Sequence, residues 1–264
     1  MSLSARVRGI GLAGPGLASW AAARDALAGR SPYAPAPAVL TAPEALPATE
    51  RRRAGKCVKL ALATGLEAAA AAGIDPSALA AVFASSSGDG ETCHAICETL
   101  ASDDRMISPT RFHNSVHNAP AGYWTIATGA TASADCIAAF DASFGAGLLE
   151  SLARVASDPG RAVALIAYDA PYPEPLHGAR PILDAFGVAL VLANASGAPA
   201  GATIAVDFTD APAQRLADPH LERLRREIPA ARALPLLELL AAGRPGTAVI
   251  DYLETLRLRI EVRQ

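Results

Sequence analysis

The stretch from residue 107 to 144 constrains the fold most, because within it a strand-like run turns directly into a helix. A polar, histidine-bearing beginning (112–118) is followed by an apolar segment (121–127) and by the strand-like run (134–139). The switch to a helix falls at Asp141, near a helix N-terminus where unpaired N–H groups and the macrodipole favour negative charge. Asp141 is therefore either an N-cap, a role that contributes about 1 kcal/mol, or a residue at the position where enzymes place nucleophiles.

A set of residues in the same stretch carries a resemblance to a known family. Its members are Ile107, Ser108, Pro109, Asn118, Ala121, Gly122, Thr125, Ile126, Gly129 and Ser143. Their order resembles the N-terminal half of the thiolase-fold β-ketoacyl synthases. In an active ketosynthase this register would put the acyl-accepting cysteine where the chain has Asp141. The resemblance therefore implies that the nucleophile is missing.

Two further segments narrow the resemblance. FASSSGDGE (83–91) and FHNSVHNAPAGYW (112–124), together with the short chain, look like the ketosynthase-like proteins described as chain length factors of aryl polyene and related type II polyketide systems. This implies an α/β, thiolase-like layered α-β-α fold, mainly the N-terminal half of a ketosynthase with a shortened C-terminal part. We expect a single domain over residues 1–264, with a core at 5–195 and an abbreviated part at 196–264.

Periodicity and turn residues predict the elements of this fold. Strands are expected at 5–13, 81–85, 134–139, 161–168, 186–194, 202–208, 248–252 and 255–262. Helices are expected at 17–28, from residue 49 or 50 to 72, from 91, at 142–156, 219–228 and 234–241. The last strand alternates apolar and charged residues, which is typical of a half-buried sheet edge or hairpin partner.

Near the start, residues 9–14 (GIGLAG) formally match the dinucleotide-binding fingerprint. That function needs an acidic residue at the end of a second strand about twenty residues on. A proline-rich loop stands there instead, so we expect no nucleotide site. By the family resemblance, these glycines permit tight packing of the first strand.

The net charge of the chain argues against some classes of partner, and a local basic cluster leaves an acidic carrier protein as a possible one. The net charge of −3 and the pI near 6.0 give no reason to expect nucleic acid or an acidic membrane surface as partner. The dense basic cluster of Arg51, Arg52, Arg53, Lys56 and Lys59 either meets an acidic carrier protein or is a solvated helix face. No apolar run reaches membrane-spanning length, and four cysteines without a secretory segment predict reduced thiols in a cytoplasmic protein.

Cysteine and histidine positions give no complete metal site. Cys93 and Cys97 share a helical face but His94 lies about 100° away, so we assign the cysteines to packing. His113 and His117 would share a face if helical, yet a third ligand is lacking. Cys136 is expected in the core, where burial and the carboxylate beside it raise the pKa of its thiol. We expect no metal and no cofactor.

The function implied by the resemblance is that of a non-catalytic subunit. The late histidines, His177 and His220, lack the glycine-rich context of the family's two catalytic histidines. The chain would pair with an active β-ketoacyl synthase subunit, meet acyl carrier protein through that complex, and bound the tunnel in which the product grows. Interface and tunnel candidates are Arg111, Phe112, His113, His117, Asn118, Tyr123 and Trp124.

Two other functions stay open at the level of sequence. The chain could be a catalytic accessory, an acyltransferase or decarboxylase that acts on acyl carrier protein and uses Asp141 or Cys136. It could also be a homodimeric binding module with the same fold and no synthase partner.

Overall fold

The computed structural model describes residues 3–41, 43–196 and 201–264, and eight strands of these residues form one mixed sheet. The order across the sheet is β3-β2-β4-β5-β1-β6-β8-β7. The strands are β1 (Leu3–Ala13), β2 (Ala80–Ala84), β3 (Ala134–Ile137), β4 (Val163–Asp169), β5 (Phe186–Ala193), β6 (Thr203–Thr209), β7 (Gly246–Asp251) and β8 (Arg257–Arg263).

Helices cover both faces of the sheet. They are α1 (Trp20–Leu27), α2 (Ala48–Arg53), α3 (Lys56–Ala72), α4 (Gly90–Ala101), α5 (Pro109–Asn114), α6 (Ala119–Thr128), α7 (Ser143–Ser157), α8 (Leu176–Ala179), α9 (Pro219–Glu227) and α10 (Leu234–Ala242), with 3-10 helices at Pro76–Ala78 and Pro229–Ala233. One apolar core holds α3 and α6 against one face, and a second holds α1, α7, α9 and α10 against the other. The layered α-β-α class is confirmed.

Strand directions place the parallel part of the sheet at one side. β2 is parallel to both β3 and β4, whereas β5 is antiparallel to β4 and to β1. Because β3 and β4 run in the same direction, their carboxyl ends lie at the same edge of the sheet. The fully buried side chains of β4 match the apolar run that predicted a central strand.

The glycines of β1 serve packing. A Cβ at Gly9 would collide with the carbonyl oxygen of Ala68, and one at Gly11 would collide with that of Thr64. The backbone of α3 therefore crosses β1 at a distance that no larger residue allows. Gly9 and Gly11 of the GIGLAG segment therefore pack against a helix, while Gly14 packs against the Phe186 ring.

The long helix predicted from residue 49 or 50 to 72 is wrong as a single element. Ala54 and Gly55 adopt extended backbone with ψ of 117° and 176°, which divides it into α2 and α3. The carboxylate of Asp89 fills the space where a side chain at position 55 would lie, so glycine lets the two segments meet. The predicted end of α3 is confirmed, since Gly73 adopts a left-handed φ of 64°.

The C-terminal strands extend the same sheet. β6 pairs with β1, β8 pairs with β6, and β7 forms a hairpin with β8. The alternation of β8 is confirmed, with Leu258, Ile260 and Val262 buried between exposed charged residues. The division at residue 195 stays a prediction, and residues 197–200 next to it lie outside the described residues. No helix among the described residues is long and apolar enough to cross a bilayer.

Candidate functional site

The turn between β3 and α7 forms the strand-to-helix corner that the sequence predicts. Phe140 has a φ of 50°, a conformation that is strained for an aromatic residue. The Ser143 hydroxyl closes the turn, because it accepts from the Ala139 amide at 3.0 Å and donates to the Phe140 carbonyl at 2.7 Å. Asp141 lies at this corner, directly before Ala142, the N-cap residue of α7.

The capping interpretation of Asp141 is wrong, because its carboxylate binds two arginines instead. Arg180 donates to one carboxylate oxygen at 2.7 Å and Arg232 to the other at 3.3 Å. The guanidinium of Arg180 also lies over the Phe140 ring, 3.6 Å from its centre. Two guanidinium groups therefore share one carboxylate at the corner. The Nε of Arg180 is buried and has no hydrogen-bond acceptor.

The histidine side chains form no hydrogen bond with the carboxylate at this corner. Among the described residues, Asp141 accepts side-chain hydrogen bonds from the two arginines and from no imidazole. His177 lies on the short helix α8, and His220 lies beside Tyr33 in a separate pocket of about 300 Å³. The sequence did not indicate that Arg180 and Arg232 converge here, since they lie 39 and 91 residues from Asp141.

A second carboxylate, Asp169 at the end of β4, is fully buried and was also missed by the sequence analysis. It accepts hydrogen bonds from the Ser86 amide at 2.9 Å, the Ser86 hydroxyl at 2.7 Å and the Ala230 amide at 2.9 Å. Burial raises the pKa of Asp169 to about 6, although these donors oppose the rise. Asp169 thus joins the end of β2 to the 3-10 helix Pro229–Ala233.

An apolar groove of about 620 Å³ runs between α4 and the loop that carries α8. Cys93, Cys97, Tyr172, Leu176 and Ala179 line it. The assignment of both cysteines to packing is wrong, because both are exposed on the face of α4 that borders the groove. Partial burial nevertheless raises the pKa of the Cys93 thiol and opposes formation of its thiolate.

The interface candidates divide into an exposed and a buried group. Arg111, Phe112, His113 and Asn118 are exposed, and Phe112 retains 65% of its accessible surface. Tyr123 and Trp124 retain 1% each, so neither is exposed for contact with a partner surface, and their assignment to the tunnel stays a prediction. They face inward on α6, where the Tyr123 hydroxyl donates to the Asn114 side chain at 3.1 Å.

His113 and His117 do not share a helical face. α5 ends at Asn114, so His117 lies outside that helix, and its Nε2 lies 3.2 Å from the Ser85 carbonyl oxygen. His113 packs edge-on against Tyr123, with 6.3 Å between ring centres. In the part of the chain that the structure describes, no three His, Cys, Asp or Glu side chains are grouped closely enough to hold a metal ion.

Cys136 and the basic cluster show no arrangement that indicates a catalytic or binding site. Cys136 is half-buried, and burial alone raises the pKa of its thiol, without the expected contribution from a carboxylate. Asp135 instead pairs with Arg154. In the basic cluster, Lys56 pairs with Glu91 at 2.8 Å and Arg53 with Glu50 at 3.4 Å, which reduces its net positive charge.

The sheet order, the two helical layers and the corner after β3 define a ketosynthase-like protein of the thiolase class. Residues 19–244 match the family model described as the β-ketoacyl synthase N-terminal domain, and the chain belongs to that family. None of the curated protein sequences matches it.

Several solved structures share the fold over nearly the whole chain. One is a ketosynthase (ApeO) in complex with its chain length factor (ApeC) from Xenorhabdus doucetiae, at 23% identity and a TM-score of 0.76, with 98% of this chain and 99% of that chain covered. The ishigamide ketosynthase/chain length factor matches at 13% identity and a TM-score of 0.72, with 98% of this chain and 99% of that chain covered. AntDE:AntF, a type II PKS acyl-carrier protein in complex with its ketosynthase, matches at 10% identity and a TM-score of 0.72, with 99% of each chain covered. Identities this low establish the shared fold alone.

Proposed function

We propose that the chain is a non-catalytic chain length factor that pairs with an active β-ketoacyl synthase subunit in polyene, polyketide or fatty-acid-like biosynthesis. The observation that carries the proposal is the carboxylate of Asp141 at the β3–α7 corner, engaged by Arg180 and Arg232. Condensation requires a nucleophile that holds the acyl group as a thioester, and a carboxylate cannot form one. Both oxygens of Asp141 are moreover occupied by guanidinium groups.

The hydrogen bonds at the corner also favour a non-catalytic role. No imidazole among the described residues donates to or accepts from Asp141. Cys136 is a poor substitute nucleophile, because burial raises the pKa of its thiol. These features favour a role in shape and assembly over the alternative of a catalytic accessory.

A partner surface is available at the β3 side of the molecule. β3 ends the sheet, so one row of its backbone N–H and C=O groups has no neighbouring strand among the residues that the structure describes. Ile126 on α6, a helix that contacts β3, is an exposed apolar side chain, and Phe112 of α5 and Val116, between the two helices, are exposed as well. Apolar surface beside an open strand edge is typical of an interface. Complexes of ketosynthases with chain length factors have this fold, which supports a synthase as the partner and binding of acyl carrier protein to the resulting complex.

The proposed tunnel role predicts an effect of truncating Phe112. In the complex, Phe112→Ala is expected to lengthen the dominant product, because removal of a phenyl ring adds volume at the end of the tunnel, while condensation continues. The measurement is co-purification of tagged chain and synthase, followed by mass analysis of products made with acyl carrier protein and malonyl donors.

Controls separate the tunnel from the interface. Val39→Ala truncates an apolar side chain that is 82% exposed in the proline-rich loop and should leave the products unchanged. Arg111→Ala tests whether the charge next to Phe112 also alters product length. Unchanged products in both α5 variants would refute the tunnel role. Failure to co-purify would refute the heterodimer, and acylation of the isolated chain that disappears in Cys136→Ala would favour an enzyme.

A further inference from the structure

Cys93 and Cys97 form a pair of exposed thiols on one side of α4. They lie four residues apart in one unbroken helix, and both line the groove of about 620 Å³. Side chains four apart on a helix have Cβ atoms about 5 to 6 Å from each other. Burial raises the pKa of the Cys93 thiol most, and Asp89 and Cys97 add to the rise. The two sulfur atoms therefore belong to one patch of surface.

The spacing of these thiols favours a bridging ion over a disulfide. A disulfide needs Cβ atoms about 3.5 to 4.5 Å apart, which is less than the separation across one helical turn. α4 would have to unwind to close that bond. An ion between the sulfur atoms spans the longer separation, because it adds two metal–sulfur bonds of about 2.3 Å each, the length found for zinc. The helix can then stay intact.

The available ligands select a soft ion that needs only two of them. Thiolates prefer soft ions such as Cu(I). A structural zinc site takes four ligands, whereas no group of three His, Cys, Asp or Glu side chains within the described ranges could hold a metal ion. His94 also borders the groove, but its Nε2 lies 3.3 Å from the carboxylate of Glu98. Two sulfur atoms remain, and Cu(I) is satisfied by two.

We infer that Cys93 and Cys97 bind one Cu(I) ion through both sulfur atoms, across one turn of α4. Each thiol releases its proton to solvent as its sulfur–copper bond forms, and the copper keeps its oxidation state. Cys93 gives up only a long hydrogen bond, 3.6 Å, to the Ser115 carbonyl oxygen. Because α4 has no buried side chain, an ion that ties two of its turns together should stabilise this helix.

The Kd for Cu(I) can be measured by competition with the chromogenic chelator bicinchoninate. The reduced, isolated full chain is titrated without oxygen. Cys93→Ser and Cys97→Ser should each raise the Kd at least about a hundredfold, because loss of a direct ligand exceeds the about 10- to 100-fold loss caused by changes around a ligand. Cys136→Ser is the matched control, since it removes a half-buried thiol outside the pair and should leave the Kd unchanged.

A relocated thiol tests the spacing separately from the number of thiols. Cys97→Ser combined with Glu98→Cys keeps two thiols on α4, but places them about 140° apart around the helix instead of about 40°. This double variant should bind Cu(I) as weakly as Cys97→Ser does. Melting curves identify variants that fail to fold, and Cys93→Ala or Cys97→Ala then replaces the serine variant.

Three results would overturn this inference. They are an unchanged Kd in either single variant of the pair, an equal loss of affinity in Cys136→Ser, and full affinity in the double variant with the relocated thiol. The titration needs no synthase partner, so its result does not depend on the proposed heterodimer.

Discussion

Two aspartates at the same edge of the sheet have opposite surroundings. Asp169 ends β4, is 2% exposed, and is held by backbone amides and a serine hydroxyl. The Asp141 side chain, after β3, is 41% exposed and is held by two guanidinium groups. Burial leaves the first carboxylate costly to ionise, whereas the second lies partly in solvent between two cations.

The difference indicates that Asp169 stabilises the fold, whereas Asp141 belongs to the candidate functional site. Asp169 connects three segments that must stay together for the fold, and its donors have no access to water as a substitute. Asp141 should be replaceable at a smaller cost in stability, because its carboxylate is partly exposed to solvent. Substitutions at the two positions should therefore differ in how much they lower the free energy of unfolding and in how this effect depends on pH and salt.

The largest effect is expected from Asp169→Ala. Removing this carboxylate leaves the amides of Ser86 and Ala230 buried without acceptors, at a cost of about 1 to 3 kcal/mol each. We expect the free energy of unfolding to fall by about 4 kcal/mol in urea denaturation at mildly acidic pH. The matched control, Asp158→Ala, breaks an exposed pair with Arg161 and should cost less than about 1 kcal/mol. Similar losses in both variants would remove the distinction between the two roles.

A pH dependence sharpens the same comparison. The pKa of Asp169 is raised to about 6, so the folded state retains a proton that the unfolded chain has already released. The free energy of unfolding should therefore fall, by up to about 3 kcal/mol, as the pH rises from about 4 to about 6. The measurement is urea denaturation across this range. Asp169→Asn has no proton to exchange at this position and should lose this part of the slope; an identical slope in both proteins would contradict the assignment.

The smallest effect on stability is expected from Asp141→Asn. The Asp141 side chain is 41% exposed while those of Arg180 and Arg232 are 20% and 19% exposed, so these ion pairs are partly screened by solvent and the free energy of unfolding should fall by about 1 kcal/mol. Thermal melts at low and high salt provide the measurement, and the small difference should shrink further at high salt. A loss as large as that of Asp169→Ala would mean that the corner after β3 holds the fold together.

Local sequence patterns predicted much of the fold. The apolar run of β4, the alternation of β8 and the glycine after α3 each reflect interactions within a few residues or with one sheet face. The break at Gly55 was missed because its reason, the carboxylate of Asp89, lies in another segment. Tyr123 and Trp124 were assigned to a partner surface or tunnel because aromatic residues are common both in cores and at interfaces.

The candidate site was predictable only in part. The corner at Asp141 follows from the change of periodicity, but its partners Arg180 and Arg232 come from distant loops that carry no shared pattern. Asp169 gave a weak signal, an acid at the end of an otherwise apolar strand, which could have been read as a buried carboxylate in need of donors. Cys93 and Cys97 are exposed because the α8 loop leaves a groove beside α4. The distance between this loop and α4 cannot be read from local sequence patterns.

The central position of β1 has a consequence for synthesis on the ribosome. Both strands that flank Leu3–Ala13, namely Phe186–Ala193 and Thr203–Thr209, follow it far along the chain and are therefore synthesised after it. Until then its backbone amides lack partners and its apolar side chains are open to chaperones or to other nascent chains. This strand therefore gains its neighbours in the sheet only when both later strands have been made.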